Sequence, residues 1–412
     1  MIKLLHFADV HIGMENYGKT NPSTGLSSRV MDFLRRMDEM VDYARKNDVD
    51  LTIFAGDAFK SRNPNPTFQR EFAFRVQDLA AVCPVVLLVG NHDLPTNIRR
   101  ASSIEIYNTL RVPNVYVGME YEVLSLETKS GLVQVATAPY PVRAQLLEGE
   151  DDTHGMGISE LDELMQDVLH QHLAKLADQV AQSEEPRVLT GHFTIDGAVT
   201  GSERQIMLGR DVAALLSSVA SPIWDYVAMG HVHKFQDLTA GDRFKPPVVY
   251  SGSLERIDFG EEGDPKGFVW VNLERGSTSY QFVPVKSRPF VTLRCDVRTS
   301  LHPTQDVLKH IKNHHLDEAV VRLIITCDPE TESMLQTREI EDALRHSGTN
   351  FIAAIHKNVE RPARLRLGTN PEGLTPHELL LRYFDSRSIE PERLDTLLEA
   401  ADAIFRAVDE RL

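Results

Sequence analysis

Across residues 1–285, short apolar runs alternate with longer segments whose apolar positions recur every three or four residues. Lys3–Phe7, Leu51–Ala55, Val85–Val89, Val115–Val117, Val133–Ala136, Arg187–Thr190 and Tyr226–Met229 read as strands, followed by Val248–Tyr250, Gly267–Leu273 and Ser279–Pro284. Between them, Val30–Lys46 carries Met31, Leu34, Met37, Met40, Val41 and Ala44 on one helical face. Phe68–Ala81 repeats that period, and Leu161–Gln179 is a longer amphipathic helix. Strands alternating with helices predict an α/β fold, with sheets layered against helices.

The pattern changes at Lys286–Pro289. Strand, helix, strand, helix and strand follow at Arg288–Val297, Pro303–His314, Ala319–Cys327, Glu339–His346 and Asn350–Asn358, a second small α/β module. The expected division is a first domain at 1–285, a second at 286–360, and a linker with a helical tail at 361–412. The stretch Arg361–Leu374 carries Pro, Gly and Asn and reads as the linker. Thr375, Pro376 and Glu378 form a capping box that opens one tail helix, Pro376–Asp385. In Pro391–Arg411, Leu394, Leu397, Leu398, Ala401, Ile404, Phe405 and Val408 line one apolar stripe. Such a stripe packs either on its own domain or in a partner's groove.

Composition narrows the class. The chain is 42% hydrophobic and 25% charged, ordinary for a globular protein. Its three cysteines are far apart, so neither a disulfide framework nor a zinc knuckle is expected. The N-terminus reads as a strand, and no apolar run approaches the ~18–20 residues a membrane span needs. The expectation is a cytoplasmic protein with no membrane contact. A net charge of −16 argues against a generally basic nucleic-acid surface. Bound divalent cations or a local basic face can still receive a phosphate.

The chemistry lies where strands end. Five segments, LLHFADVHIG, LTIFAGDAF, VVLLVGNHDLP, RVLTGHF and YVAMGHVHKF, each run from an apolar strand through a small residue to metal-capable side chains. These are Asp9, His11, Asp57, Asn91, His92, Asp93, His192, His231 and His233. Ligands of open α/β sheets gather beyond the carboxyl ends of the strands. Glycine before a ligand permits close approach. The two-residue spacing of Asp9 and His11, and of His231 and His233, puts each pair on one face of an extended backbone. Carboxylate, imidazole and amide oxygen without thiolate suit Mn²⁺, Fe²⁺, Mg²⁺ or Zn²⁺. Seven ligands exceed one tetrahedral site and suffice for two sites sharing a carboxylate, the arrangement of phosphatases and nucleases. The DxH and GD pieces alone are ordinary turns or caps, and GNHD and GHVH have less structural use; five together, all at strand ends, are not accidental.

The set Asp9-x-His11, Gly56-Asp57, Gly90-Asn91-His92-Asp93, Gly191-His192 and Gly230-His231-x-His233 resembles the calcineurin-like metallophosphoesterase superfamily. That resemblance implies a layered β-sandwich flanked by helices. It implies one ion on Asp9, His11, Asp57 and His233, and another on Asp57, Asn91, His192 and His231, with Asp57 bridging. His92 would be the non-ligand histidine of catalysis and Asp93 the carboxylate orienting its ring. Within the superfamily, ADVHIG, GDAFKSRNPNP, GHFTIDGAVTGSE and YSGSLERIDFGEEGDPKGFVWVNL resemble the SbcD and Mre11 exonucleases. The likeness covers residues 1–290 well and the small module loosely. It implies Mn²⁺-dependent hydrolysis of DNA, as a 3′-to-5′ double-strand exonuclease and a single-strand or hairpin endonuclease. It further implies a homodimer, a capping role for 286–360, and docking of the tail on an SbcC or Rad50-like ATPase. A phosphomonoesterase or cyclic-nucleotide phosphodiesterase shares the metal core, and a DNA tether without catalysis is a further alternative.

One motif is set aside. Gly13–Thr20, GMENYGKT, matches a phosphate-binding loop formally, but Asn21-Pro22 follows where a helix is needed. No ATP is expected on this chain. His6 reads as a packed strand histidine, and His170 and His172 point different ways on a helix.

Overall fold

A computed structural model describes residues 1–95, 100–147, 156–201, 212–360, 374–387 and 391–409. Fifteen strands among these residues form three sheets. In chain order they are β1 (Ile2–Phe7), β2 (Leu51–Phe54), β3 (Val85–Leu88), β4 (Val115–Gly118), β5 (Glu122–Thr128), β6 (Gly131–Ala138), β7 (Arg187–His192), β8 (Tyr226–Gly230), β9 (Gln236–Asp237), β10 (Val248–Tyr250), β11 (Gly267–Leu273), β12 (Ser279–Pro284), β13 (Phe290–Asp296), β14 (Val320–Cys327) and β15 (Phe351–Val359). The first sheet runs β12-β11-β1-β2-β3-β4 and the second β5-β6-β7-β8-β10-β9.

The two six-stranded sheets face each other. Alternate residues of their strands, Ile2 and Leu4, Leu51 and Ile53, Val133 and Val135, Val269 and Val271, fill a common core. The outer face of the first sheet is covered by helices Ser28–Lys46 and Pro66–Ala80, through Met37, Met40, Val41, Phe72 and Val76. Helix Ile158–Val180 covers the second sheet with Met165, Leu169, Leu173 and Leu176. Both helices over the first sheet start as physics favours: Ser27 and Asn65 accept from the backbone of the first turn, and Pro66 opens the second. The layered β-sandwich flanked by helices is therefore the observed architecture.

β1 to β4 are mutually parallel, and so are β6, β7, β8 and β10. Parallel strands send their carboxyl ends to one side, so the loops after β1, β2, β3, β7 and β8 meet at one rim of the sandwich. Two strands are absent from the sequence reading. β5 is an edge strand, half-exposed and only weakly alternating, and β9 is two residues long.

Residues 290–359 build the third sheet, β13-β14-β15, all parallel. Helices Pro303–Lys312 and Thr337–His346 pack on it through Val307, Ile311, Ile340 and Leu344, giving this part a core of its own. The linker reading, Arg361–Leu374, falls almost entirely outside the described residues. Beyond it, helices Pro376–Ser386 and Pro391–Asp409 pack on each other, and His377 Nδ1 meets Asp402 Oδ1 at 2.7 Å. No helix among the described residues is long and apolar enough to cross a membrane.

Candidate metal centre

The rim is built by backbone that leaves the strands sharply. After β1, residues 9–12 run beside 56–58, with Asp9 N donating to Gly56 O and His11 N to Asp57 O at 3.0 and 3.1 Å. Asp9, His11, Asp57 and His231 all have positive φ, at 53°, 49°, 64° and 90°. That region is sparsely populated by non-glycine residues and costs about 1–3 kcal/mol per residue, a strain that concentrates at functional sites. Asp9 and His11 thus share a face for a reason other than the one expected. The chain is not extended there; two left-handed residues, pinned to the 56–58 backbone, turn both side chains inward. Glycine serves close approach at Gly90, where a Cβ would fall 2.2 Å from Asp57 Oδ1, and at Gly230, where it would fall 2.0 Å from Ala55 O.

The side chains converge. His11 Nε2 lies 3.0 Å from His233 Nε2 and 3.7 Å from Asp57 Oδ2. His192 Nε2 lies 3.4 Å from the same Asp57 oxygen and 3.0 Å from Asn91 Oδ1. His231 Nδ1 stands 3.1 Å from Asn91 Oδ1, and its backbone N–H donates to the Asp9 carboxylate. Three overlapping groups, Asp9 with His11 and His233, Asp9 with Asp57 and His192, and His11 with Asp57 and His92, bring one donor atom each within 4.8 Å of one another. Asp57 Oδ2 stands between His11 on one side and His192 on the other.

The donor set fits cations. His192 Nδ1 lies 2.6 Å from the carbonyl oxygen of Ala55, which can only accept, so this nitrogen carries the proton. In the neutral ring, Nε2 then presents a bare lone pair to Asn91 Oδ1 and Asp57 Oδ2. His233 Nδ1 is likewise held by Glu261 Oε1 at 2.8 Å, which turns the lone pair of Nε2 toward His11. Carboxylates and imidazoles packed this closely call for positive charge, supplied by a bound cation or, without one, by a second proton on His192. Burial would lower the pKa of His192, but Asp57 and Asp9 push it up to about 9. Burial would raise Asp57, yet His192, His92 and His11 hold it well below the usual carboxylate range. Asp9 is raised by burial against the pull of His233 and His192.

All nine residues picked from sequence sit at this rim, but one has a different task. Asp93 does not orient His92. Its carboxylate accepts Asp57 N and Gly90 N at 2.9 and 3.1 Å and Ala58 N at 3.0 Å, stapling the loop after β2 to the loop after β3. Asp93 is fully buried, and burial together with the Asp57 charge pushes its pKa up to about 7. The His92 ring is held by Lys60 O, 2.8 Å from Nδ1, which leaves Nε2 available to the centre. The reason is geometric: three backbone N–H groups and the Ser103 hydroxyl, 3.3 Å from Oδ1, surround Asp93, and a carboxylate with four donors around it has no lone pair left for a ring.

Other residues here escaped the sequence reading. Glu261 and Lys266, joined at 2.9 Å and fully buried, stand behind His233. Both lie in the YSGSLER…KGF stretch, where two charged residues next to an apolar strand were the available signal. Tyr140 places its ring 5.9 Å from that of His231 and walls one side of the centre. His6 is buried, 3.0 Å from Tyr226 Oη and 3.2 Å from Met229 O, outside the centre as read. His170 meets Ser218 while His172 stacks on Tyr121, so the two point apart.

A family model described as calcineurin-like phosphoesterase matches residues 2–235, more than half of the 412-residue chain. Among curated proteins, the DNA double-strand break repair protein Mre11 of Thermoplasma acidophilum is 26% identical over 339 residues, covering 81% of this chain and 79% of that protein. The SbcD component of the nuclease SbcCD from Bacillus subtilis is 25% identical over 284 residues, covering 67% of each.

Proposed function

Because this chain belongs to the calcineurin-like phosphoesterase family, we propose that it is a Mn²⁺-dependent DNA nuclease, the nuclease subunit of an SbcCD or Mre11–Rad50-like complex in DNA repair and recombination. The observation that carries this reading is the convergence of seven donors from five strand-end loops, Asp57 among them at the centre, in a chain whose relatives are named as a DNA-break repair protein and a nuclease subunit.

Asp9, His11, Asp57 and His233 would hold one ion, and Asp57, Asn91, His192 and His231 the other. Such a pair, when bound, supplies positive charge at a phosphodiester and lowers the pKa of the attacking water. The remaining work falls to the chain. Positive-φ turns and the Asp93 staple fix the donors before substrate arrives, so no reorganisation is needed at the reacting centre. His92 stands at the mouth with Nδ1 on the Lys60 carbonyl, and its Nε2 binds a phosphate oxygen and, when protonated, gives its proton to the leaving oxygen.

The small domain at 286–360 would present DNA from the side. A second copy is supported by exposed apolar residues: Ile106 and Leu110, 55% and 69% exposed, rim a cleft with Ala73 and Val76, and Phe74 on the same helix is 53% exposed. The tail helices, with Leu381 and Ile404 exposed, suit the coiled coil of an ATPase partner.

The test is cleavage of linear duplex and hairpin DNA with Mn²⁺ and with chelator. Degradation that requires the metal is expected. Hydrolysis confined to phosphomonoesters or cyclic nucleotides would move the reading to those substrates. No diester hydrolysis at all would leave a tether.

A further inference from the structure

The segment from Arg256 to Lys266 reaches the metal centre on one side and the small domain on the other. Glu261 Oε1 takes His233 Nδ1 at 2.8 Å, and Oε2 takes Ile257 N and Lys266 Nζ, each at 2.9 Å. Lys266 Nζ also donates to His233 O at 3.1 Å and to Ser253 Oγ at 2.9 Å. Ring and backbone of His233 are therefore gripped by one buried ion pair.

The neighbours of Glu261 hold the third sheet. Glu262 accepts from Thr292 N at 2.7 Å and Thr292 Oγ1 at 2.6 Å, both on β13. Arg322 on β14 donates to Thr292 Oγ1 at 3.0 Å and lies 4.3 Å over the ring of Phe259. Phe259 packs edge-on against Phe290, with ring centroids 5.0 Å apart. Arg256 ties the segment together, donating to Glu261 O at 3.1 Å and, across the boundary, to Ser287 Oγ at 2.7 Å and Arg288 O at 3.0 Å. Glu261 and Glu262 share a peptide bond, so a shift of β13 that drags Glu262 also drags the carboxylate holding His233. Ion sites tolerate donor displacements of only about 0.2 Å.

We infer that the Arg256–Lys266 segment couples the seating of the small domain to cation binding at His233, with Glu261 as the positioning residue. The inference rests on the two-ion reading above. Loosening the small domain weakens binding at the His11/His233 position and spares the Asn91/His192/His231 position, whose donors do not touch this segment.

The test is calorimetric titration of Mn²⁺ into the metal-free full-length chain, with a urea melt of each variant alongside. Wild type takes up two ions. Glu261→Ala weakens one of the two by about 10–100-fold, the usual effect of removing a partner behind a ligand. Glu262→Ala and Thr292→Val, which touch no metal ligand, weaken the same ion by at least about threefold and leave the other unchanged. Thr292→Ser keeps the hydroxyl and restores wild-type affinity; if Glu262→Ala fails to fold, the Val/Ser pair at position 292 decides. Wild-type affinity for both ions in Glu262→Ala and Thr292→Val, or equal weakening of both, overturns the coupling. Uptake of fewer than two ions by wild type overturns the two-ion reading itself, and the coupling with it.

Discussion

Among the described residues, two assemblies of buried charged side chains reconcile charge with burial in opposite ways. At the joint between the sandwich and the third sheet, Arg29 Nη1 meets Asp32 at 2.8 Å and Arg288 clamps the same carboxylate with Nε and Nη2 at 2.5 and 2.7 Å. Glu255, fully buried, accepts from Arg288 N and lies 3.8 Å from Arg29. Arg288 reaches on to Glu318, just before β14 of the third sheet, at 2.8 Å. Every anion there has a guanidinium. At the strand-end rim, Asp9 and Asp57 face imidazoles and an amide oxygen, with no lysine or arginine among the donors. A buried cluster closed by guanidinium groups is a structural joint. A cluster whose only positive charge of its own is a displaceable imidazole proton is a place for a cation to bind.

The comparison predicts unequal consequences for removing one carboxylate from each. Asp57→Asn deletes the charge shared by both halves of the rim. Hydrolysis of duplex DNA should fall by roughly 10³-fold or more, on the scale of losing preorganised electrostatics, while urea unfolding of the metal-free protein near neutral pH falls by less than at the joint. Asn still offers an oxygen to His92 N, now held by Asp57 Oδ1 at 2.8 Å, and relieves the repulsion with Asp9, which offsets part of the loss of a charge that His192, His92 and His11 stabilise. A metal-free Asp57→Asn protein that loses as much stability as Asp32→Ala would place this residue in the joint class.

His92→Ala should cost about 10²-fold or more in DNA cleavage, the contribution of a positioned acid, with both ions still bound by calorimetry. Loss of an ion in that variant would make His92 a ligand, a role its 4.8 Å grouping with His11 and Asp57 could serve. At the joint, Asp32→Ala leaves Arg29 and Arg288 buried without their carboxylate. It should cost about 3–5 kcal/mol in urea unfolding, with two ions still taken up, the one at His11 and His233 more weakly. A small loss there would mean that Glu255 alone satisfies both guanidinium groups.

These contrasts bear on how far the sequence could be read. The strand-end donors were legible because each motif is local: apolar run, small residue, donor. Even so, the backbone that aims them was misread at Asp9 and His11, since a left-handed turn in a non-glycine residue leaves no mark on the sequence. Asp93 was assigned a ring partner because the family resemblance implied one. Its true partners, the N–H groups of Asp57, Ala58 and Gly90, are common to every sequence and carry no signal. Glu261 lies 28 residues from His233 and in a single 3₁₀ turn, where no periodicity points to burial. β5 was missed because its run, EVLSLET, is short and half-exposed, with Leu126 its one fully buried apolar residue.

The comparison narrows finally to two histidines with the same burial. His192 sits among carboxylates and is pushed up to about 9, whereas burial holds His6 down to about 3, against only the pull of Met229 O. His6 has neutral partners: Nε2 donates to Met229 O and Nδ1 accepts from the Tyr226 hydroxyl. A proton added to Nδ1 would break the second bond and strand a charge between the sheets. The unfolded chain binds that proton near pH 6.5 and the folded chain only near 3, so between these values the unfolded state holds more protons. Stability therefore falls as pH falls from 6.5 toward 3, at up to about 1.4 kcal/mol per unit from this one group. His6→Gln keeps a donor and an acceptor but does not titrate. Its urea stability, followed from pH 6.5 to 4.5, should decline more gently than wild type by about one proton's slope, which cancels the carboxylates common to both proteins. Parallel slopes would mean that His6 is already charged in the fold, and that the interior of the sandwich tolerates what only the rim is built to hold.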